Sequence, residues 1–130
     1  SQGVAMAKAK ILVVEDEAAM RSLLRTALED AGFEVLEASD GEQGLAVAEA
    51  ERPSLILLDI IMTKMDGITM LKEMRGQRWG KKIPVIILTN LASSGRVAES
   101  LQDEDVDYLV KAEHRLDEVV ARVKAKLGVR

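Results

Sequence analysis

Apolar residues in this chain fall into short unbroken runs that alternate with stretches where they recur every three or four positions. "ILVV" at residues 11–14 runs into Glu15-Asp16-Glu17, after which Met20, Leu23, Leu24, Ala27, Leu28 and Ala31 recur at helical spacing up to Gly32. That order predicts a strand, an acidic loop, a helix and a glycine stop. The unit then repeats: "FEVLEA" is a short strand, Ser39-Asp40-Gly41 a turn with a helix cap, and residues 45–50 a helix ended by Pro53. "LILLD" is a third strand, and residues 65–74, with Ile68, Met70 and Leu71, a third helix closed by the polar "GQRWGKK". "IPVIILT" makes the fourth strand, with Pro84 near its start, where a missing N–H is tolerable. Val97 and Leu101 support a weaker helix over residues 93–102, "VDYLVK" is a fifth strand, and Leu116, Val119, Val120, Val123 and Leu127 form the stripe of a last helix.

Three of these strands are almost continuous in Val, Ile and Leu, as expected for strands buried on both faces. Five strands alternating with five helices therefore predict an α/β domain, a doubly wound parallel sheet covered on both sides. Right-handed crossovers place every strand's carboxyl end on one edge, where open α/β sheets bind ligands.

Composition narrows the function classes. At 130 residues the chain fits one domain, and an aromatic share of 2% within 48% apolar residues requires an aliphatic core. Without cysteine there can be no disulfide, thiolate metal site or cysteine nucleophile, and a single histidine argues against zinc. A net charge of -4 with no basic stripe argues against direct nucleic-acid binding. No apolar run approaches the ~20 residues of a membrane helix and no leader pattern is present, so no membrane partner and a cytoplasmic location are expected. Residues 1–8, opening with the patternless "SQGVA", are expected to lie outside the fold as an appended or disordered N-terminus.

The chemistry concentrates at the predicted edge. Strand one ends at Glu15-Asp16, strand three at Asp59, strand four at Thr89 and strand five at Lys111. Carboxylates within a few ångströms repel by about 4 kcal/mol per close pair at an effective dielectric near 20, so positive charge must sit among them. Lys111 supplies one charge; a hard divalent cation such as Mg²⁺, which takes one or two carboxylates, waters and a phosphate oxygen, supplies the rest. A carboxylate in such a setting is a nucleophile for forming an aspartyl phosphate, with Thr89 donating a hydrogen bond to a phosphoryl oxygen. Taken singly, each residue has a plainer explanation: Asp16 and Asp59 as turn formers or helix N-caps, Thr89 as a strand-end residue, Lys111 as a solvated charge. On one rim, they are better explained together by a phosphoryl site.

"ILVVEDE", "LILLDIIMTKMDG", "VIILTN" and "DYLVK", in this order and at these intervals, make residues 9–127 resemble the receiver domain of bacterial two-component response regulators. The resemblance implies a flavodoxin-like strand order of 2-1-3-4-5 and a receiver domain over residues 9–130. It implies that Asp59 is the phosphoacceptor, taking its phosphoryl group from a partner sensor histidine kinase or phosphotransfer protein. Mg²⁺ would be held by Asp16, Asp59 and the backbone carbonyl of Ile61, with Glu15 acting through water. Lys111 would pair with the phosphoryl group, while Thr89 and Tyr108 would act as the switch. Output would go to an unidentified protein target through the fourth helix, fifth strand and fifth helix. Such a protein is a signalling switch and not a conventional enzyme, since it catalyses only its own phosphorylation and dephosphorylation.

Several positions depart from the family pattern: Glu15 where Asp is usual, Thr63 and Ala112 where Pro is common, and Asn90 where a small residue is typical. Ile61 and Leu91 flank the site with side chains that cannot orient an attacking water, which implies slow phosphate loss. A phosphorylation-independent interaction module with the same fold is the alternative, against which the complete set Asp16, Asp59, Thr89 and Lys111 argues. An aspartyl-phosphate hydrolase would want a second acid at position 61, which is Ile. "DEDVD" at residues 103–107 lacks the later Gly and Glu of a calcium loop and is read as a solvated turn, and "GQRWGKK" lacks the hydroxyl residue of a phosphate loop and is read as a surface connection. Most of Met62, Met65, Met70 and Met74 are expected in the core and Trp79 packed down, and His114 carries no assigned role.

Overall fold

The computed structural model describes residues 8–59, 66–89, 105–110 and 115–129. The helix expected over residues 93–102 lies outside these, as do residues 1–7. The five strands are β1 (Lys10–Val14), β2 (Glu34–Ala38), β3 (Leu55–Leu58), β4 (Val85–Thr89) and β5 (Val106–Val110). The helices are α1 (Ala18–Asp30), α2 (Gly41–Glu51), α3 (Gly67–Arg75) and a last helix, α4 (Leu116–Leu127). All strand pairs are parallel, in the order β2-β1-β3-β4-β5 implied by the resemblance.

The unbroken apolar runs resolve into two cores because a strand's side chains alternate between faces. Leu12, Val14, Ile56, Leu58, Val85 and Ile87 point to one side, where they meet Ala48 of α2 and Met70, Leu71 and Met74 of α3. Ile11, Val13, Leu55, Leu57, Ile86 and Leu88 point to the other, against Leu24 and Leu28 of α1 and Val119 and Val123 of α4. Every residue of β3 is buried, which is why its sequence shows no alternation.

Local signals set the boundaries. Asp40 caps α2 by accepting from the Gln43 N–H at 2.8 Å, as the sequence suggests. The third helix begins two residues later than its apolar spacing predicts, because Asp66 caps it, accepting from the Thr69 N–H at 2.8 Å. Trp79 sits in a 3-10 turn (Arg78–Gly80), packs against the α2/α3 core and lies 5.1 Å beneath the Arg52 guanidinium. That settles its packed-down placement and makes "GQRWGKK" a surface connection. Of "DEDVD", residues 103–104 lie outside the described residues, Asp105 is in a turn, and Asp107 belongs to β5 and pairs with Lys126 at 3.5 Å.

Candidate functional site

In this strand order the chain leaves β1 toward β2 on one side and places β3 on the other, so the carboxyl ends of β1 and β3 flank the point where the winding reverses. Backbone hydrogen bonds carry the sheet one residue past the strands at this point. The Glu15 N–H donates to the Ala38 carbonyl at 3.0 Å, and the Asp59 N–H donates to the Val14 carbonyl at 2.9 Å. With Val14 in register with Leu58, residues 15 and 59 emerge side by side.

The result is a compact acidic cluster. Carboxylate oxygens of Glu15, Asp16 and Asp59 all lie within 4.8 Å of one another. Glu15 is only 2% exposed and Asp59 8%, whereas Asp16 faces solvent. One Glu15 carboxylate oxygen accepts from the Glu17 N–H at 3.1 Å, tying the acidic turn back on itself. Capping does not explain Asp16 or Asp59: the N-cap of α1 is Glu17 and that of α3 is Asp66. Two buried acids beside a third carry a mutual repulsion of a few kcal/mol at an effective dielectric near 20. An all-oxygen set of this kind has the donor chemistry that could hold a hard divalent cation.

The remaining expected site residues divide. Thr89 closes β4 in register with Val110, and Tyr108 is paired with Ile87 on the adjacent strand, which sets both on the sheet's β4–β5 side. The side chains of Thr89 and Tyr108 lie outside the described residues, as do Ile61 and Lys111 entirely.

The response regulator receiver domain family matches residues 11–124. The chain belongs to that family. Among curated relatives, it is 37% identical over 122 residues to the probable transcriptional regulator ycf27 of Porphyridium aerugineum, covering 94% of this chain and 49% of that protein. Over 118 residues it is 42% identical to the alkaline phosphatase synthesis transcriptional regulatory protein PhoP of Bacillus subtilis (strain 168), covering 91% of this chain and 48% of PhoP. The chain thus spans about half the length of the curated relatives it matches. Among solved structures, chemotaxis protein CheY4 of Vibrio cholerae superposes with a TM-score of 0.82 at 31% identity, covering 92% of this chain and 98% of CheY4. The receiver domain of sensor histidine kinase PA1611 from Pseudomonas aeruginosa PAO1 superposes with a TM-score of 0.83, also at 31% identity, covering 94% and 99%. That neighbour holds a magnesium ion coordinated in its active-site cleft.

One residue of this receiver domain escapes sequence reasoning. Arg21, in the first turns of α1, donates from its guanidinium to the main-chain carbonyl of Glu15 at 2.8 Å and pairs with Glu37 of β2 at 3.4 Å. Along the sequence it is one more polar position on the outer side of an amphipathic helix. Only the pairing of β1 with β2 brings Glu37 and the Glu15 carbonyl within its reach.

Proposed function

We propose that this receiver domain is a phosphoacceptor switch in a two-component phosphorelay, with Asp59 as the residue that receives the phosphoryl group. The observation that carries this reading is the convergence of Glu15, Asp16 and Asp59 within 4.8 Å on the carboxyl rim, where no described helix uses them as caps. A carboxylate oxygen of Asp59 forms a bond to phosphorus while the bond from phosphorus to the imidazole nitrogen of a phosphohistidine breaks. The departing imidazole keeps the electron pair and picks up a proton from solvent. The donor is a sensor histidine kinase or a phosphotransfer protein.

The cluster fits a bound Mg²⁺: its donors are all oxygen, and a hard cation offsets their repulsion. Asp16, Asp59 and the main-chain carbonyl of Ile61 would hold the metal directly, with Glu15 one water away. Bound there, Mg²⁺ supplies charge neutralisation for the transferring phosphoryl group, the main requirement of phosphoryl transfer. The chain's own residues do the rest. Burial just past the end of β3 fixes Asp59 in one position, Lys111 pairs with the arriving phosphoryl group, and Thr89 donates to one of its oxygens. Thr89 and Tyr108 then relay occupancy to a protein target through residues 93–102, β5 and α4. The domain catalyses its own phosphorylation and dephosphorylation and turns over no other substrate.

A phosphorylation-independent module would have no use for three clustered carboxylates at the switch point. Intact-mass measurement after incubation with a small acyl-phosphate donor and Mg²⁺ tests the proposal. One added phosphoryl group is expected, absent in Asp59→Asn and in the presence of EDTA. An unchanged mass in the wild-type chain, or equal labelling of Asp59→Asn, would overturn it.

A further inference from the structure

We infer that Arg21 is a positioning residue for the metal site, a clamp that fixes the acidic turn through its backbone. The inference rests on the phosphoacceptor reading and adds to it a residue outside the acidic cluster. The turn that carries Asp16 leaves the sheet at Glu15, and its placement decides whether the Asp16 carboxylate reaches the same point as that of Asp59. Contacts that hold that turn among the described residues include the Glu15 N–H on the Ala38 carbonyl at 3.0 Å, the Glu17 N–H on the Glu15 carboxylate at 3.1 Å, and the Arg21 guanidinium on the Glu15 carbonyl at 2.8 Å. The last of these is made by a side chain from outside the turn and grips the backbone itself.

Arg21 is itself held. Its Nε lies 3.4 Å from one carboxylate oxygen of Glu37, while Nη1 of Arg25 lies 2.7 Å from the other, so two arginines one helical turn apart share one β2 carboxylate. The backbone N–H of Arg21 donates to the Glu17 carbonyl at 2.9 Å, which places the clamp in the first turn of α1. A guanidinium can serve a carbonyl and a carboxylate at once because its donors diverge in a fixed plane, a geometry that an ammonium lacks. With its side chain 21% exposed, Arg21 spans from β2 through α1 to the last backbone carbonyl before Asp16.

Charge and position make opposite predictions here. If Arg21 acted only as a nearby cation, removing its charge would make the acidic cluster more attractive to Mg²⁺. If it fixes the turn, removing it would weaken Mg²⁺ binding even though a repelling charge has gone. The test is calorimetric titration of Mg²⁺ into the wild-type chain, Arg21→Gln, Arg21→Lys, Glu37→Gln and Asp59→Asn, each with a thermal melt in EDTA. Expected are a 5–10-fold weakening in Arg21→Gln, a smaller one in Arg21→Lys, which keeps the charge but loses the fork, and a smaller one again in Glu37→Gln. Affinity in Arg21→Gln equal to or tighter than wild type would overturn the clamp, as would a lowered melting temperature with unchanged affinity in both Arg21 variants. Mg²⁺ binding that Asp59→Asn leaves intact would overturn the metal-site reading together with the clamp, and so separates the two failures.

Discussion

Asp59 ends a strand whose four residues are all buried, and its carboxylate has two acidic neighbours within 4.8 Å. Like charges this close repel whatever else each of them touches, so the proposed phosphoacceptor carries a stability cost that its acidic neighbours impose in the metal-free domain. Replacing Asp59 by Asn keeps the shape and hydrogen-bonding capacity of the side chain and removes the charge. In EDTA, Asp59→Asn is expected to be more stable than wild type by about 1–2 kcal/mol, a fraction of the full pair repulsion, which a thermal melt would register as a rise of several degrees. Saturating Mg²⁺ should reverse the order, since a ligand at 100 times its dissociation constant adds about 2.7 kcal/mol to the state that binds it. A wild-type chain more stable than Asp59→Asn in EDTA would show the repulsion to be already offset by the protein. Asp16→Asn should lose Mg²⁺ affinity at least tenfold in the same titration. Because Asp16 faces solvent, its effect on stability in EDTA should be smaller than that of Asp59→Asn.

Helices and strands differ in how far the sequence reveals them. β1, β3 and β4 were legible as unbroken apolar runs because burial on both faces leaves no polar position to interrupt them. The acidic rim followed from them once a parallel sheet was assumed. The start of the third helix was not legible from spacing, since Met65 fits the apolar periodicity while Asp66, one residue on, supplies the cap that sets the boundary. Arg21 and Glu37 were invisible for another reason: they sit on consecutive elements, α1 and β2, and meet only once the helix packs back beside the sheet. The turn after α3 illustrates the same limit. Gly80 reads as a loop glycine in a polar stretch, yet it is buried, and a Cβ placed there would collide with the carbonyl oxygen of Met74. Gly80→Ala is therefore expected to destabilise the domain by about 1–3 kcal/mol, the usual range for overpacking against a fixed backbone, seen as a lower urea midpoint. Because this turn precedes β4 at the opposite edge of the sheet from the acids, Mg²⁺ affinity measured on the folded protein should stay within twofold of wild type.

Across the whole molecule the sheet is unequally supported, and this decides where a signal can emerge. β1 and β3 are interior strands paired on both sides and buried between two cores, whereas β5, among the described residues, lies at the edge and pairs with β4 alone. Central strands surrounded by close-packed side chains do not deform by small amounts, so occupancy at Asp59 should be absorbed where neighbours are fewest. Thr89 is in register with Val110, and Ile87 with Tyr108, so a shift at the end of β4 passes directly into β5 and from there to α4, whose Val119 and Val123 share a core with Leu109. Hydrogen exchange should show this asymmetry: after incubation with an acyl-phosphate donor and Mg²⁺, protection is expected to change in peptides covering residues 89–129 and to stay constant in those covering β1 and β3. Tyr108→Ala should still take up the phosphoryl group, within about twofold of the wild-type rate, yet lose most of the change over α4, because in the proposed mechanism Tyr108 serves transmission and takes no part in capture. Changes of equal size in β1 and β5, or an α4 response that survives in Tyr108→Ala, would mean that the edge strand is not the route.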